Sequence, residues 1–183
     1  MAKTRKRKAY SYSYLQDVYS PTHFRAIRKA CDAIPEEAMA VDWEPTTKNR
    51  LTYLFKNTDP LISRIYNKDL VQAVRTLTGN ERLEPYDKIP VEYRVYGIGA
   101  SMNWHTDRQM LPDQCQYECV ITLRNTSDSE TLVKQGSKGS RNKHIKTEPN
   151  SLFVVQAKGV SHCVTPITKG SRSILKVVFY DPN

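Results

Sequence analysis

The sequence predicts a mainly β domain in which a layer of N-terminal helices supports a β-sandwich or barrel. Three observations lead there. Helical apolar spacing is confined to residues 20–80. From residue 84 onward, apolar residues come in short runs separated by Gly, Pro, Asn and Asp. The length of 183 residues suits one domain with one core rather than two. Helices first and many short strands afterwards give a helical layer against a sheet.

Residues 1–13 are basic and then Ser/Tyr-rich without apolar period, so a disordered tail is expected, followed by a single domain over 14–183. Ser20-Pro21-Thr22 reads as a helix start, Ser as cap and Pro in the first turn. Phe24, Ile27, Ala30 and Cys31 then recur at helical spacing until Pro35 ends or kinks the segment. Asp59-Pro60 opens a second helix whose Ile62, Ile65, Tyr66, Leu70, Val74 and Leu77 line one stripe, closed by Gly79-Asn80. The expected strands are 91–97, 117–124, 131–133, 144–146, 151–157 and 173–180. The polar, Gly-containing stretch 134–143 is expected to be a mobile loop.

Composition narrows the class. Apolar residues are 39% and charged residues 26%, as in ordinary globular proteins, and no run approaches the ~20 apolar residues that span a bilayer. The basic N-terminal run is not followed by an apolar segment, so a cytoplasmic or nuclear location and no membrane contact are expected. The four cysteines are then expected to be reduced, and Cys115, Cys119 and Cys163 to act as buried apolar packing, since no fourth ligand at zinc-site spacing accompanies them. Lys3, Arg5, Lys6, Arg7 and Lys8 form one cationic segment, and Lys134, Lys138, Arg141, Lys143 and Lys146 another. Together they exceed the net charge of +9, so the remaining body is close to neutral. Two readings stand: a solvated tail and loop, or attraction to nucleic acid or another polyanion through the tail and loop 134–146.

One constellation carries chemistry. His105 and Asp107 stand two apart, and on extended backbone i and i+2 project from the same face. An imidazole and a carboxylate make a mixed N/O ligand set suited to iron(II). His162, ahead of the last apolar run, supplies a third ligand, completing a 2-His-1-carboxylate triad with three positions open. Two of these suit the ketone and carboxylate oxygens of a 2-oxo acid, and the third suits dioxygen. Arg172 begins the final run, and its planar fork, always charged, suits the far carboxylate of such an acid. His23 and His144 have no neighbours that suggest ligation.

These residues resemble the 2-oxoglutarate oxygenases, and within them the prolyl 4-hydroxylase-like branch. The segment 96–107 resembles its tyrosine, glycine and HxD signature; 123–131 resembles its asparagine turn before a Glu-Thr strand; 149–152 resembles its proline-initiated strand. Arg172 follows His162 by ten residues, the offset at which that branch places its basic co-substrate residue. The resemblance covers residues 84–180 and implies a double-stranded β-helix core, jelly-roll or cupin-like, with iron(II) as cofactor, 2-oxoglutarate and O2 as co-substrates, and ascorbate in support. It further implies Tyr96 as a hydrogen-bond partner of 2-oxoglutarate and Thr131 as a wall of its pocket. Where collagen-modifying members carry lysine this chain has Arg172, and their second tyrosine is Met102 here, so collagen is not the expected substrate. The resemblance implies hydroxylation of a protein side chain, most directly prolyl. Oxidation of a nucleic-acid base, as in AlkB-type relatives, and a non-catalytic binding module of the same fold are the alternatives. After Arg172 the last strand offers only Lys176 where AlkB-type enzymes place a further arginine.

Overall fold

A computed structural model describes residues 12–42, 44–135 and 141–182. Its strands are β1 (Tyr12–Leu15), β2 (Ala40–Val41), β3 (Thr47–Leu54), β4 (Glu84–Pro85), β5 (Glu92–His105), β6 (Gln116–Asn125), β7 (Thr131–Val133), β8 (Lys143–Ile145), β9 (Ser151–Gln156), β10 (His162–Val164) and β11 (Arg172–Tyr180). Its α-helices are α1 (Pro21–Asp32), α2 (Pro60–Ile65) and α3 (Lys68–Thr78). The strands form one antiparallel sheet whose main path is β1-β9-β6-β11-β5-β10-β7-β8, with β3 added on β5. The sheet curls until its two ends meet: Val133 and Ile145 from one end pack with Phe153, Val155, Tyr12 and Tyr14 from the other. The architecture is mainly β, antiparallel and jelly-roll-like.

Alternation along β6, β9 and β11 explains why both their faces are buried. Odd residues of β6 and β11 (Cys119, Ile121, Leu123, Leu175, Val177, Phe179) join Leu152 and Val154 beneath Phe24, Ile27, Leu70 and Val74 of the helices. Each fully buried aliphatic or aromatic side chain contributes ~1.5–3 kcal/mol, which makes this layer the main stabilising contact of the domain. The even residues face inward, and there the chain places charges: Glu118 on β6, Arg172 on β11 and Arg94 on β5 are all buried.

The long strand β5 sets the shape. Its first half pairs with β11 and β3, and its last residues pair with β10. Between the halves Gly99 takes a φ of +80°, and its N–H donates to the Ile167 carbonyl at 2.8 Å. Only glycine enters that region without strain, so the strand bends here and carries His105 from the β11 side of the curl to the β10 side.

Three sequence expectations change. Tyr12 and Ser13, expected within the disordered stretch 1–13, belong to β1; their Ser/Tyr alternation is a strand pattern, held by β9. Residues 1–11 and 136–140, which hold the basic tail and much of the expected mobile loop, lie outside the described residues. The segment from Asp59 to Gly79 is two helices, because Asn67 accepts a hydrogen bond from the Leu70 N–H and caps a new start. The strand expected to stop at Gly97 continues to His105. Among the described residues no helix is long and apolar enough to cross a membrane.

Candidate active site

The curl brings the HxD segment and the distal histidine together. His105 ends β5, His162 opens β10, and the two are direct partners in the antiparallel register. Asp107 lies just past the strand end, where its carbonyl accepts from the Lys158 N–H at 2.9 Å. The imidazole and carboxylate ligand atoms of His105, Asp107 and His162 all fall within 4.8 Å of one another. The two Asp107 oxygens stand 3.8 Å from His105 Nε2 and 3.7 Å from His162 Nε2.

The outer contacts of the histidines settle which nitrogen is free. His105 Nδ1 donates to the Asn103 carbonyl at 2.8 Å, and His162 Nδ1 donates to the Val160 carbonyl at 3.3 Å. A carbonyl only accepts, so each ring carries its proton on Nδ1 and turns the bare Nε2 lone pair inward, as metal-binding histidines do. His105 Nε2 is buried and has no hydrogen-bond partner. Burial and the neighbouring His105 push the His162 pKa down to about 4, so its ring is neutral at pH 7. Burial pushes the Asp107 carboxyl up, against the pull of His105, Lys176 and Arg94. Two lone pairs and a carboxylate, desolvated and converging, form a donor set that a divalent ion fits. Among the described residues no other group of His, Cys, Asp and Glu converges in this way.

Beside the triad lies a second unbalanced charge. Arg172, the first residue of β11, is 3% exposed. Its Nη1 donates to the Thr131 hydroxyl at 3.2 Å, its guanidinium sits 6.0 Å from the Tyr96 ring centre, and its Nε is buried without a hydrogen bond. Burial pushes its pKa down. No carboxylate among the described residues pairs with it. An isolated buried cation costs several kcal/mol, and an anion beside it would offset that cost. Tyr96, Thr131 and Arg172 share one cavity with the triad, the grouping expected from the sequence.

A cleft of about 640 Å³ adjoins the triad at His105 and Asp107. Its inner wall is an ionic network that sequence reading missed. Lys176 Nζ lies 3.2 Å from Glu92 and 3.0 Å from Glu118, and Arg94 binds Glu92 through Nη2 at 2.6 Å and Nε at 2.8 Å. Although burial disfavours its charge, the two carboxylates hold Lys176 above the ordinary lysine pKa. The signal was parity: Arg94 lies two before Tyr96 and Lys176 four after Arg172, both on the inward face. Arg50 was also missed, because β3 was not recognised as a strand. Met102 lines the cavity, whereas Trp104 is exposed with the Lys134 ammonium 5.1 Å from its ring centre. His23 bonds the Arg64 carbonyl and His144 bonds Glu130, so neither joins the site. Cys119 and Cys163 are buried free thiols, whereas Cys115, expected to be buried as well, is half-buried.

No family model and no curated protein matches the sequence. Solved structures match over nearly the whole chain. A prolyl-4-hydroxylase from Pseudomonas putida superposes with a TM-score of 0.72 at 15% identity, over 95% of this chain and 94% of that one. A prolyl hydroxylase from Trichoplax adhaerens, solved with a peptide fragment of a hypoxia inducible factor, gives 0.71 at 10% identity, over 93% and 83%. SnoK, a non-heme alpha-ketoglutarate-dependent carbocyclase from nogalamycin biosynthesis, gives 0.73 at 14% identity, over 94% and 80%. The chain therefore has the fold of the 2-oxoglutarate–iron(II) oxygenases, prolyl hydroxylases among them.

Proposed function

We propose that this protein is an iron(II)- and 2-oxoglutarate-dependent oxygenase that hydroxylates a protein side chain, with a prolyl residue as its target. The observation that carries the reading is the pairing of a desolvated His-Asp-His triad with a buried arginine that has no acid, inside one cavity. We read the curled sheet as a double-stranded β-helix with that cavity at its open end. When bound, iron(II) and 2-oxoglutarate supply the oxidising power: the co-substrate is decarboxylated to succinate and one oxygen atom of O2 reaches a substrate C–H bond.

The chain's own residues do the rest. His105, Asp107 and His162 hold the metal, and the Nδ1 bonds to Asn103 and Val160 keep both rings oriented. Arg172 holds the far carboxylate of the co-substrate, with Thr131 and Tyr96 beside it. Phe153 and Val164 help exclude water from that cavity. The cleft walled by Arg94, Glu118 and Lys176 takes the substrate. The prolyl reading rests on the resemblance of the site segments and on two neighbours of that activity, one carrying a peptide. SnoK, on the same fold, marks that substrate does not follow from fold. Binding of nucleic acid is the second reading, favoured by the acid-free basic segment 134–146, whose Lys134 lies over Trp104 beside the metal ligand His105. A steep fall in oligonucleotide affinity with added salt would support it.

The test is succinate formation from 2-oxoglutarate with iron(II), ascorbate and O2, together with mass spectrometry of prolyl peptides. The expected result is succinate formation that Asp107→Ala abolishes with the fold intact, and a gain of one oxygen on a prolyl peptide. Full turnover by Asp107→Ala would sink the ligand assignment, and succinate without peptide oxidation would sink the prolyl one.

A further inference from the structure

Among the described residues Arg50 is the largest fully buried side chain, at 0% exposure, and it lies outside the triad and the anion seat. It stands in a single row across three strands: Arg50 on β3 pairs with Tyr96 on β5, and Tyr96 pairs with Arg172 on β11. Tyr96, itself 2% exposed, is thus flanked by two buried guanidiniums, at 5.6 Å and 6.0 Å from its ring centre. The two arginines differ in their company. Arg172 has no acid, whereas Arg50 donates to Asp42 through Nε at 2.8 Å and through Nη2, with Glu44 at 3.4 Å. Asp42 is held in turn by the Thr52 hydroxyl at 3.0 Å. The charge of Arg50 is therefore offset on its outer side, and it is not a second anion seat.

Its remaining arm has a specific target. Arg50 Nη1 donates to the Tyr96 hydroxyl oxygen at 3.0 Å and approaches the Met102 sulfur at 3.5 Å. A phenol has one proton to give and accepts through its oxygen. With its oxygen held as an acceptor by a guanidinium, which has no lone pair to offer in return, the hydroxyl proton must point elsewhere. Tyr96 lines the cavity shared with Arg172 and Thr131, which gives that proton a place to go. Donation from a charged group also polarises the O–H bond and strengthens it as a donor.

We propose that Arg50 is a positioning residue for the co-substrate: by occupying the Tyr96 oxygen, it fixes Tyr96 as a hydrogen-bond donor toward the carboxylate-bearing ligand that Arg172 receives. Asp42 clamps Arg50 so that this arm cannot swing away. The inference rests on the reading of the cavity as a 2-oxoglutarate site and deepens it.

The test is calorimetric titration of 2-oxoglutarate into the full chain loaded with manganese(II), an ion that holds the site without turnover. Arg50→Met, Tyr96→Phe, the double variant and Arg172→Ala are compared with wild type, and thermal unfolding is recorded for each. Loss of one charge-assisted hydrogen bond is expected to weaken 2-oxoglutarate about tenfold in Arg50→Met and by a similar factor in Tyr96→Phe. In the Tyr96→Phe background, Arg50→Met should cause no further loss of affinity, although it lowers thermal stability in both backgrounds. A merely structural arginine would give losses that multiply, or a stability loss without an affinity loss, and either result overturns the proposal. If Arg50→Met fails to fold, the double variant Arg50→Met/Asp42→Asn replaces it: it removes both charges of the pair and still frees the Tyr96 oxygen, so the same affinity loss is expected, and unchanged affinity overturns the proposal. If Arg172→Ala also leaves 2-oxoglutarate binding unchanged, or wild type does not bind it, the reading of the cavity fails and the proposal with it. Weakening in Arg172→Ala but not in the Arg50 variants defeats the proposal alone.

Discussion

Arg172→Met is expected to make the protein more stable and the site worse. In the free protein Arg172 is 3% exposed, its Nε has no partner, and its one side-chain bond is to the neutral Thr131 hydroxyl. Exchanging such a charge for an apolar chain of similar length removes a desolvation cost of several kcal/mol, against ~1 kcal/mol for the orphaned hydroxyl and some imperfect packing. A net gain of about 1–2 kcal/mol corresponds to about 2–8 °C in Tm for a chain of this size. Co-substrate reverses the order. With manganese(II) and 2-oxoglutarate at a hundred times the wild-type Kd, wild type gains about 2.7 kcal/mol, whereas a variant with hundredfold weaker binding gains about 0.4 kcal/mol. The assay is a pair of melting curves for each protein, with and without 2-oxoglutarate. The variant should melt higher in its absence, and wild type should gain far more in its presence. A variant that melts lower without ligand and gains as much as wild type with it would show that Arg172 is structural.

Three further outcomes follow from local geometry. Gly170→Ala places a Cβ 2.3 Å from the Thr126 carbonyl oxygen at a φ of +73°, so a loss of about 2–4 kcal/mol in chemical denaturation is expected, with reduced 2-oxoglutarate affinity because the turn leads into Arg172. Asp42→Asn removes the charge opposite Arg50 and should cost about 1–2 kcal/mol at pH 7, discounted for the carboxylate's exposed side. Burial raises the Asp42 pKa, but bonds from the Glu44 N–H and Arg50 outweigh it and hold the carboxyl below 3.8. Its contribution is thus complete above pH 3.8 and lost below, so wild type and Asp42→Asn should converge in stability as pH falls. Asn150 sits at a φ of +63°, and its side chain bonds both the N–H and the carbonyl of Tyr19 at 3.1 Å and 2.8 Å. Asn150→Ala should cost about 2–3 kcal/mol and Asn150→Gly somewhat less, since glycine restores the backbone but not the two bonds.

Much of the site was legible because its chemistry is local. His105 and Asp107 are two apart, and His162 and Arg172 frame one turn, so residue type and spacing were enough. The alternation of 117–124 and 173–180 likewise marked strands that do exist, one residue longer at most ends. What escaped depends on tertiary pairing. The strand β3 carries no apolar alternation, since its residues are Thr-Lys-Asn-Arg-Leu-Thr-Tyr-Leu, and its one buried residue is the charged Arg50. Its position is set by the partner β5, and no local pattern encodes that. Gly97 and Gly99 look like stops in the sequence, yet the strand continues through both and bends at Gly99. The ions Glu92, Arg94, Glu118 and Lys176 read as surface residues one by one. Only the register of β5, β11 and β6 places them together on the inner wall.

The central claim is that one cavity holds a metal and a dicarboxylate at once, and a crystal structure with manganese(II) and 2-oxoglutarate tests it most directly. The account predicts metal bonded to Nε2 of His105, Nε2 of His162 and the Asp107 carboxylate, with the co-substrate chelating the metal at one end and its far carboxylate on Arg172. Metal at any other residues, or 2-oxoglutarate bound away from Arg172, would contradict it.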